Sequence, residues 1–225
     1  LSSNFQLIHD EQGALCAAWP AELKLKPIKV DFLHGRFADR LKRHSGLKEP
    51  LARAIGLHKK EALSVIDATA GFGREGMLLA LLGCSVFMIE QSHIMAALLQ
   101  DGLIRARADA VFPTLIKHWV ECIEGNAQEW IPKLVAMHSI DVIYLDPMFP
   151  SRTKTAAVKK EMQFLHAIVG TQSNDDEALF TVALNAAVER VVVKRPVHAP
   201  PLAGKKPNYV IDAGQMRFDV YTKAK

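Results

Sequence analysis

Val65-Ile66-Asp67-Ala68-Thr69-Ala70-Gly71-Phe72-Gly73-Arg74-Glu75-Gly76 is the stretch whose reading decides the fold. An apolar run ends in a carboxylate, passes two closely spaced glycines and opens into the apolar-periodic segment Met77 to Leu82. Strand, tight turn and helix N-terminus thus follow within twelve residues, which is how α/β folds build a site for an adenosyl cofactor.

Downstream of Ala62, apolar strands alternate with amphipathic helices, which predicts βαβ units around a parallel sheet. The first strand is Leu63 to Ile66, and its helix runs to Leu82 with Gly83 at the stop. Val86 to Ile89 is the second strand, closed by Glu90, and Ser92 is placed to cap the next helix. A helical stretch near Phe112 to Trp119 leads to a third strand around Val120 to Ile123. The fourth, Ile140 to Leu145, runs into Asp146-Pro147-Met148-Phe149-Pro150, where the two prolines predict a rigid loop. Helices at Lys154 to Val169 and Asp175 to Ala187 precede a fifth strand, Arg190 to Val193. Tyr209 to Ile211 and Phe218 to Tyr221 close the chain as an expected antiparallel hairpin.

Upstream, residues 1 to 60 read as a small β-rich cap with a connecting helix, and 61 to 225 as the main domain. Asp10-Glu11-Gln12-Gly13 lies between Phe5 to Ile8 and Ala14 to Ala17, a hairpin signal. Ile28 to Leu33 has the period of a strand, Arg36 to His44 reads as a basic loop, and Lys48 to Ile55 as a short helix stopped by Gly56.

At 225 residues the chain can bury a sizeable core, and 28 Lys plus Arg against 24 Asp plus Glu leave a net charge of +4, compatible with an anionic partner. Cys16, Cys84 and Cys122 lack any C-x-x-C spacing, so neither a disulfide framework nor a zinc site is expected, and a reducing, cytoplasmic setting is the default expectation. The longest apolar stretch, Met77 to Ile89, is broken by Gly83 and Ser85 and is shorter than the roughly 20 residues of a membrane span. No signal peptide is visible. No membrane and no metal are expected as partners.

Gly71 to Gly76 matches the dinucleotide pattern G-x-G-x-x-G. Asp67, four residues before the first glycine, would repel a pyrophosphate and suits a cationic ligand. S-adenosylmethionine is such a ligand: its amino group and sulfonium are positive. Asp67 and the backbone at Gly71 and Gly73 would face the methionine part, Glu90 the ribose hydroxyls and Asn126 the adenine edge. On the competing reading, Asp67 and Glu90 are strand-end caps.

The loop after the fourth strand carries the second cluster. Methyl transfer to an exocyclic amine needs an acceptor that orients the amine and a flat surface against the base. Asp146 offers the first, Phe149 the second and the Pro147 carbonyl a further acceptor. Strong base catalysis is not required, because the donor is already activated. Arg152, Lys154, Lys159 and Lys160 follow this loop and Lys194 and Arg195 end the fifth strand, a set that suggests phosphate contacts to a large nucleic acid. His198 reads as incidental.

At these residues the chain resembles the bacterial 16S ribosomal RNA guanine-N2 methyltransferases of the RsmJ type. The similarity rests on Asp67 to Arg74, Ala96-Ala97-Leu98-Leu99 with Asp101-Gly102-Leu103, Tyr144 to Pro150, Val158 to Met162, and Val191 to Pro196 through Ala199-Pro200-Pro201-Leu202. It implies a Rossmann-like class I methyltransferase sheet with helices on both faces, a cytoplasmic enzyme and methylation of guanine N2 in small-subunit ribosomal RNA. It also implies cofactor contacts at Arg74, Glu75, Glu90, Gln91, Asn126, Ala127 and Asp146. Gln91 stands where the resemblance leads one to expect a basic residue, and Asn126-Ala127 where it leads one to expect small hydroxyl residues. Met148 replaces the second proline of the commoner D-P-P-[YF]. The residues alone leave open a DNA adenine or cytosine amino-methyltransferase and a non-catalytic RNA-binding or ribosome assembly protein.

Overall fold

Strands β3 (Ser64–Asp67), β4 (Ser85–Glu90), β5 (Val120–Glu124), β6 (Val142–Leu145) and β7 (Arg190–Pro196) pair in parallel in the computed structural model. β9 (Met216–Thr222) joins β7 antiparallel, and β8 (Tyr209–Ala213) completes a seven-stranded sheet of order β5-β4-β3-β6-β7-β9-β8. The structure describes residues 5–20, 24–43, 46–60, 62–147, 164, 168, 173–186 and 188–223. Most of the helix expected from Lys154 to Val169 lies outside them.

The central strands are apolar at nearly every position because each buries both faces. Val65, Val86, Met88, Val142, Tyr144 and Val192 enter one core cluster. Ile66, Phe87, Ile89, Ile143, Leu145, Val191 and Val193 enter the other. The first face is covered by α2 (Pro50–Ile55), α3 (Arg74–Leu81) and α4 (His93–Ala108). The second is covered by α6 (Ala127–Met137) and α7 (Ser173–Asn185). Between α4 and β5 lies α5, a single turn at Phe112–Leu115.

Several elements differ from expectation. Ile28 to Leu33 does not form a strand: Ile28 makes one bridge to Ala17, and the alternating burial of Ile28, Val30 and Phe32 comes from packing into the core beside α4. The basic stretch beginning at Arg36 is a helix, α1 (Gly35–Lys42), because Ala38 and Leu41 recur at helical spacing and bury one face while Arg40 and Lys42 stay outside. The helix near Phe112 ends at Leu115, since Leu115 and Trp119 are exposed and offer no buried face to continue it. No element is expected over 127–137, yet α6 forms there with Asn126 at its N-cap and Ile131 and Leu134 buried. The hairpin β1 (Gln6–His9) and β2 (Leu15–Ala18) forms as read.

Candidate active site

The chain runs from β3 outward to β4 and β5, then crosses back to β6 on the other side of β3. The carboxyl ends of β3 and β6 therefore flank the topological switch point, where open α/β sheets form their ligand crevice. Asp67 ends β3 and Asp146 follows β6 directly. The Asp146 N–H donates to Thr69 Oγ1 at 2.6 Å, joining the loop after β6 to the glycine turn after β3.

Strand alternation then gathers the charged side chains on one side. Ile66, Ile89, Leu145 and Val193 belong to the core under α6 and α7. Their successors Asp67, Glu90, Asp146 and Lys194 thus project toward α3. Glu75, in the first turn of α3, meets them there: Lys194 Nζ donates to Glu75 Oε1 and to Asp146 Oδ2, both at 2.7 Å.

Asp67 is 1% exposed and accepts the Thr69 N–H at 3.2 Å. Burial, together with the charges of Glu75 and Asp146, pushes its carboxyl up to about 8. Asp146 also lies above the ordinary carboxylate range: burial raises it, the Lys194 ammonium pulls it back and Glu75 raises it again. For Lys194, burial favours the neutral amine, but Asp146 and Glu75 outweigh this and hold it charged. Two carboxylates, Glu75 and Asp146, the protonated carboxyl of Asp67 and one ammonium thus share the crevice. That surplus of negative charge fits a cationic ligand.

Glu90 is buried and its oxygens accept two backbone N–H groups, Gly71 to Oε2 at 2.9 Å and Ser92 to Oε1 at 2.8 Å. Burial raises its carboxyl and these hydrogen bonds oppose the rise. The two glycines of the turn are not equivalent. Gly71, with φ +51, has open space where a Cβ would stand, its nearest neighbour being the Thr69 carbonyl at 4.0 Å. Gly73, with φ +68, would press a Cβ to 2.5 Å from Leu99 Cδ1. The turn therefore opens toward the crevice at Gly71 and closes against the core at Gly73.

The remaining expected residues are placed unevenly. The Arg74 guanidinium lies over the Phe37 and Phe72 rings, 5.8 and 5.5 Å from their centroids. Gln91 is exposed beside Glu90. Asn126 Oδ1 accepts the Gln128 N–H at 2.8 Å, and Ala127 is buried against the α6 core. Pro147 is buried next to Asp146. Phe149, Arg152, Lys154, Lys159 and Lys160 lie outside the described residues.

Lys194 and Arg195, expected as phosphate contacts, are engaged within the protein. Lys194 is bound to two carboxylates, and Arg195 is 6% exposed with its guanidinium donating to the Pro200 carbonyl. Sequence reasoning also passed over Thr69 and Tyr144. The Tyr144 hydroxyl is buried beneath the carboxylates with no hydrogen-bond partner among the described residues.

This sheet order, with a glycine turn after its first strand and an acid closing its second, defines the class I S-adenosylmethionine-dependent methyltransferases. The family model for putative SAM-dependent methyltransferases matches residues 2–223. The chain is 49% identical over 195 residues to ribosomal RNA small subunit methyltransferase J of Thioalkalivibrio sulfidiphilus, covering 87% of this chain and 76% of that protein. It is 46% identical to the protein of the same name from Shewanella baltica, across 100% of this chain and 93% of the relative. Among solved structures, the SAM-dependent methyltransferase NGO1261 from Neisseria gonorrhoeae superposes with a TM-score of 0.71 at 34% identity, covering 93% of this chain and 79% of that one. The chain belongs to the ribosomal RNA small subunit methyltransferase J family, and its methyl donor is S-adenosylmethionine. No helix among the described residues is long and apolar enough to cross a membrane.

Proposed function

We propose that this protein methylates the exocyclic N2 of a guanine in 16S ribosomal RNA, as free RNA or within the small ribosomal subunit, in the cytoplasm. The observation that carries this reading is the position of Asp146, held by Thr69 at the switch point beside the Asp67 glycine turn. The names of the relatives supply the substrate class.

S-adenosylmethionine supplies an electrophilic methyl on a cationic sulfur. Asp67 and Glu75 provide negative charge toward its methionine end, and the open backbone at Gly71 and the turn to Gly73 leave room for it. Glu90, aimed by two backbone N–H groups, accepts from the ribose hydroxyls. Arg74, Gln91, Asn126 and Ala127 complete the surround, Ala127 through its backbone. On the acceptor side, Asp146 and the Pro147 carbonyl take the guanine amine hydrogens and turn the nitrogen lone pair toward the methyl, while Phe149 stacks on the base. The amine proton departs after transfer, so Asp146 orients and stabilises developing positive charge on nitrogen.

Residues 1–60 form a cap over the α3 and α4 side in this reading, and 61–225 the methyltransferase domain. Arg152, Lys154, Lys159 and Lys160 contact phosphates, joined by the exposed Arg40, Lys42 and Arg43 in and beside α1. Incubation of the protein with methyl-labelled donor and either 30S particles or 16S RNA lacking the modification tests the proposal. Label is expected in the RNA. Label in duplex DNA instead, or none with any substrate despite donor binding, contradicts it.

A further inference from the structure

We propose that Lys194 is a positioning residue: it ties Asp146 to Glu75 and so keeps Asp146 an anionic, correctly aimed acceptor for the substrate amine. This rests on the reading of Asp146 as that acceptor. The ammonium bridges the two carboxylates at 2.7 Å each, and so links β7, β6 and α3 at the crevice floor. Side-chain exposures of 20% for Lys194, 22% for Glu75 and 29% for Asp146 leave the bridge partly open to the crevice.

The bridge leaves a defined acceptor. Thr69 fixes the Asp146 backbone and Lys194 engages Oδ2, whereas Oδ1 has no partner among the described residues. A substrate amine therefore meets a carboxylate whose rotation is already restricted, at little further entropic cost. Lys194 itself is a poor phosphate ligand. Two of its three donor hydrogens are taken, and two carboxylates cancel its charge toward any approaching anion.

Charge accounts for why the lysine is needed. Asp146 is faced by Asp67 from β3, Glu75 from α3 and the Tyr144 hydroxyl from β6, and Arg40 of α1 acts electrostatically on Tyr144. Among the described residues, Lys194 is the positive group in contact with Asp146. Without it, Asp146 would stand beside the like charge of Glu75 in a partly desolvated site and take up a proton. A protonated Asp146 loses its charge and part of its acceptor capacity.

Carbon-13 NMR titration of the Asp146 carboxyl, in the full chain without RNA, tests the bridge directly. Lys194→Met is expected to move that titration upward by at least about one pH unit, a factor of about ten in protonation. Glu75→Gln should move it downward, an independent readout should the first variant fold poorly. An Asp146 titration unmoved by either change overturns the bridge. Methyl transfer supplies the second arm. Lys194→Met should lower turnover about tenfold on the acid side and recover at high pH, with the RNA KM within about threefold of wild type. A raised RNA KM at unchanged turnover would instead make Lys194 a phosphate contact. Shifted titrations in the two variants, with a wild-type protein that transfers no methyl, would refute the acceptor role while leaving the bridge intact.

Discussion

The fold makes a charge on Asp67 costly. Its carboxyl is held near 8 by burial and by Glu75 and Asp146, so it retains a proton that the unfolded chain loses near 4. The stabilising share of this group is fully present below the unfolded value and is lost as pH rises through about 8. A cationic donor reverses the preference by stabilising the ionised form. Affinity for S-adenosylmethionine, followed by calorimetry, is therefore expected to rise between pH 6 and 9, and Asp67→Asn should flatten the dependence. The acids were legible in the sequence because each closes a strand beside a turn. The partner of Asp146 was not. The apolar run of the fifth strand stops at Val193, whereas pairing with β9 carries β7 to Pro196. Lys194 is thereby a strand residue, directed by alternation into the crevice rather than out toward solvent.

Among the elements, α6 shows how a side chain can have two roles. Asn126 begins it by accepting the Gln128 N–H, the bond of an N-cap. Asn126→Ala should cost about 1 kcal/mol of stability in denaturant unfolding, separately from any loss in donor affinity. Pro132 lies within α6, a residue that reads as a breaker, so the helix is recognisable mainly from its cap and from Ile131 and Leu134 on one side. The glycine turn makes a sharper demand. Gly73→Ala must combine a left-handed backbone with a Cβ 2.5 Å from Leu99, and should destabilise by about 2 kcal/mol or more, lowering the denaturation midpoint. Gly71 has the space that Gly73 lacks. The strand–turn–helix pattern was readable because its period changes within a few residues. α1 was not, since its basic outer face hides the spacing of Ala38 and Leu41.

The whole molecule is a sheet covered on both faces, with its reactive edge where the strand order reverses. The N-terminal segment is part of that covering: Ala17, Ile28, Val30 and Phe32 share a core with α3 and α4, and the buried Phe164 packs against Phe5 and Trp19. The central claim is that this edge delivers a methyl to a guanine amine through Asp146. Nucleoside chromatography of 16S RNA methylated by the wild-type protein and by Asp146→Ala tests it most directly. N2-methylguanosine is expected from the wild type, formed at least about 100-fold more slowly by the variant. A different methylated nucleoside, or wild-type turnover by Asp146→Ala, would contradict the account.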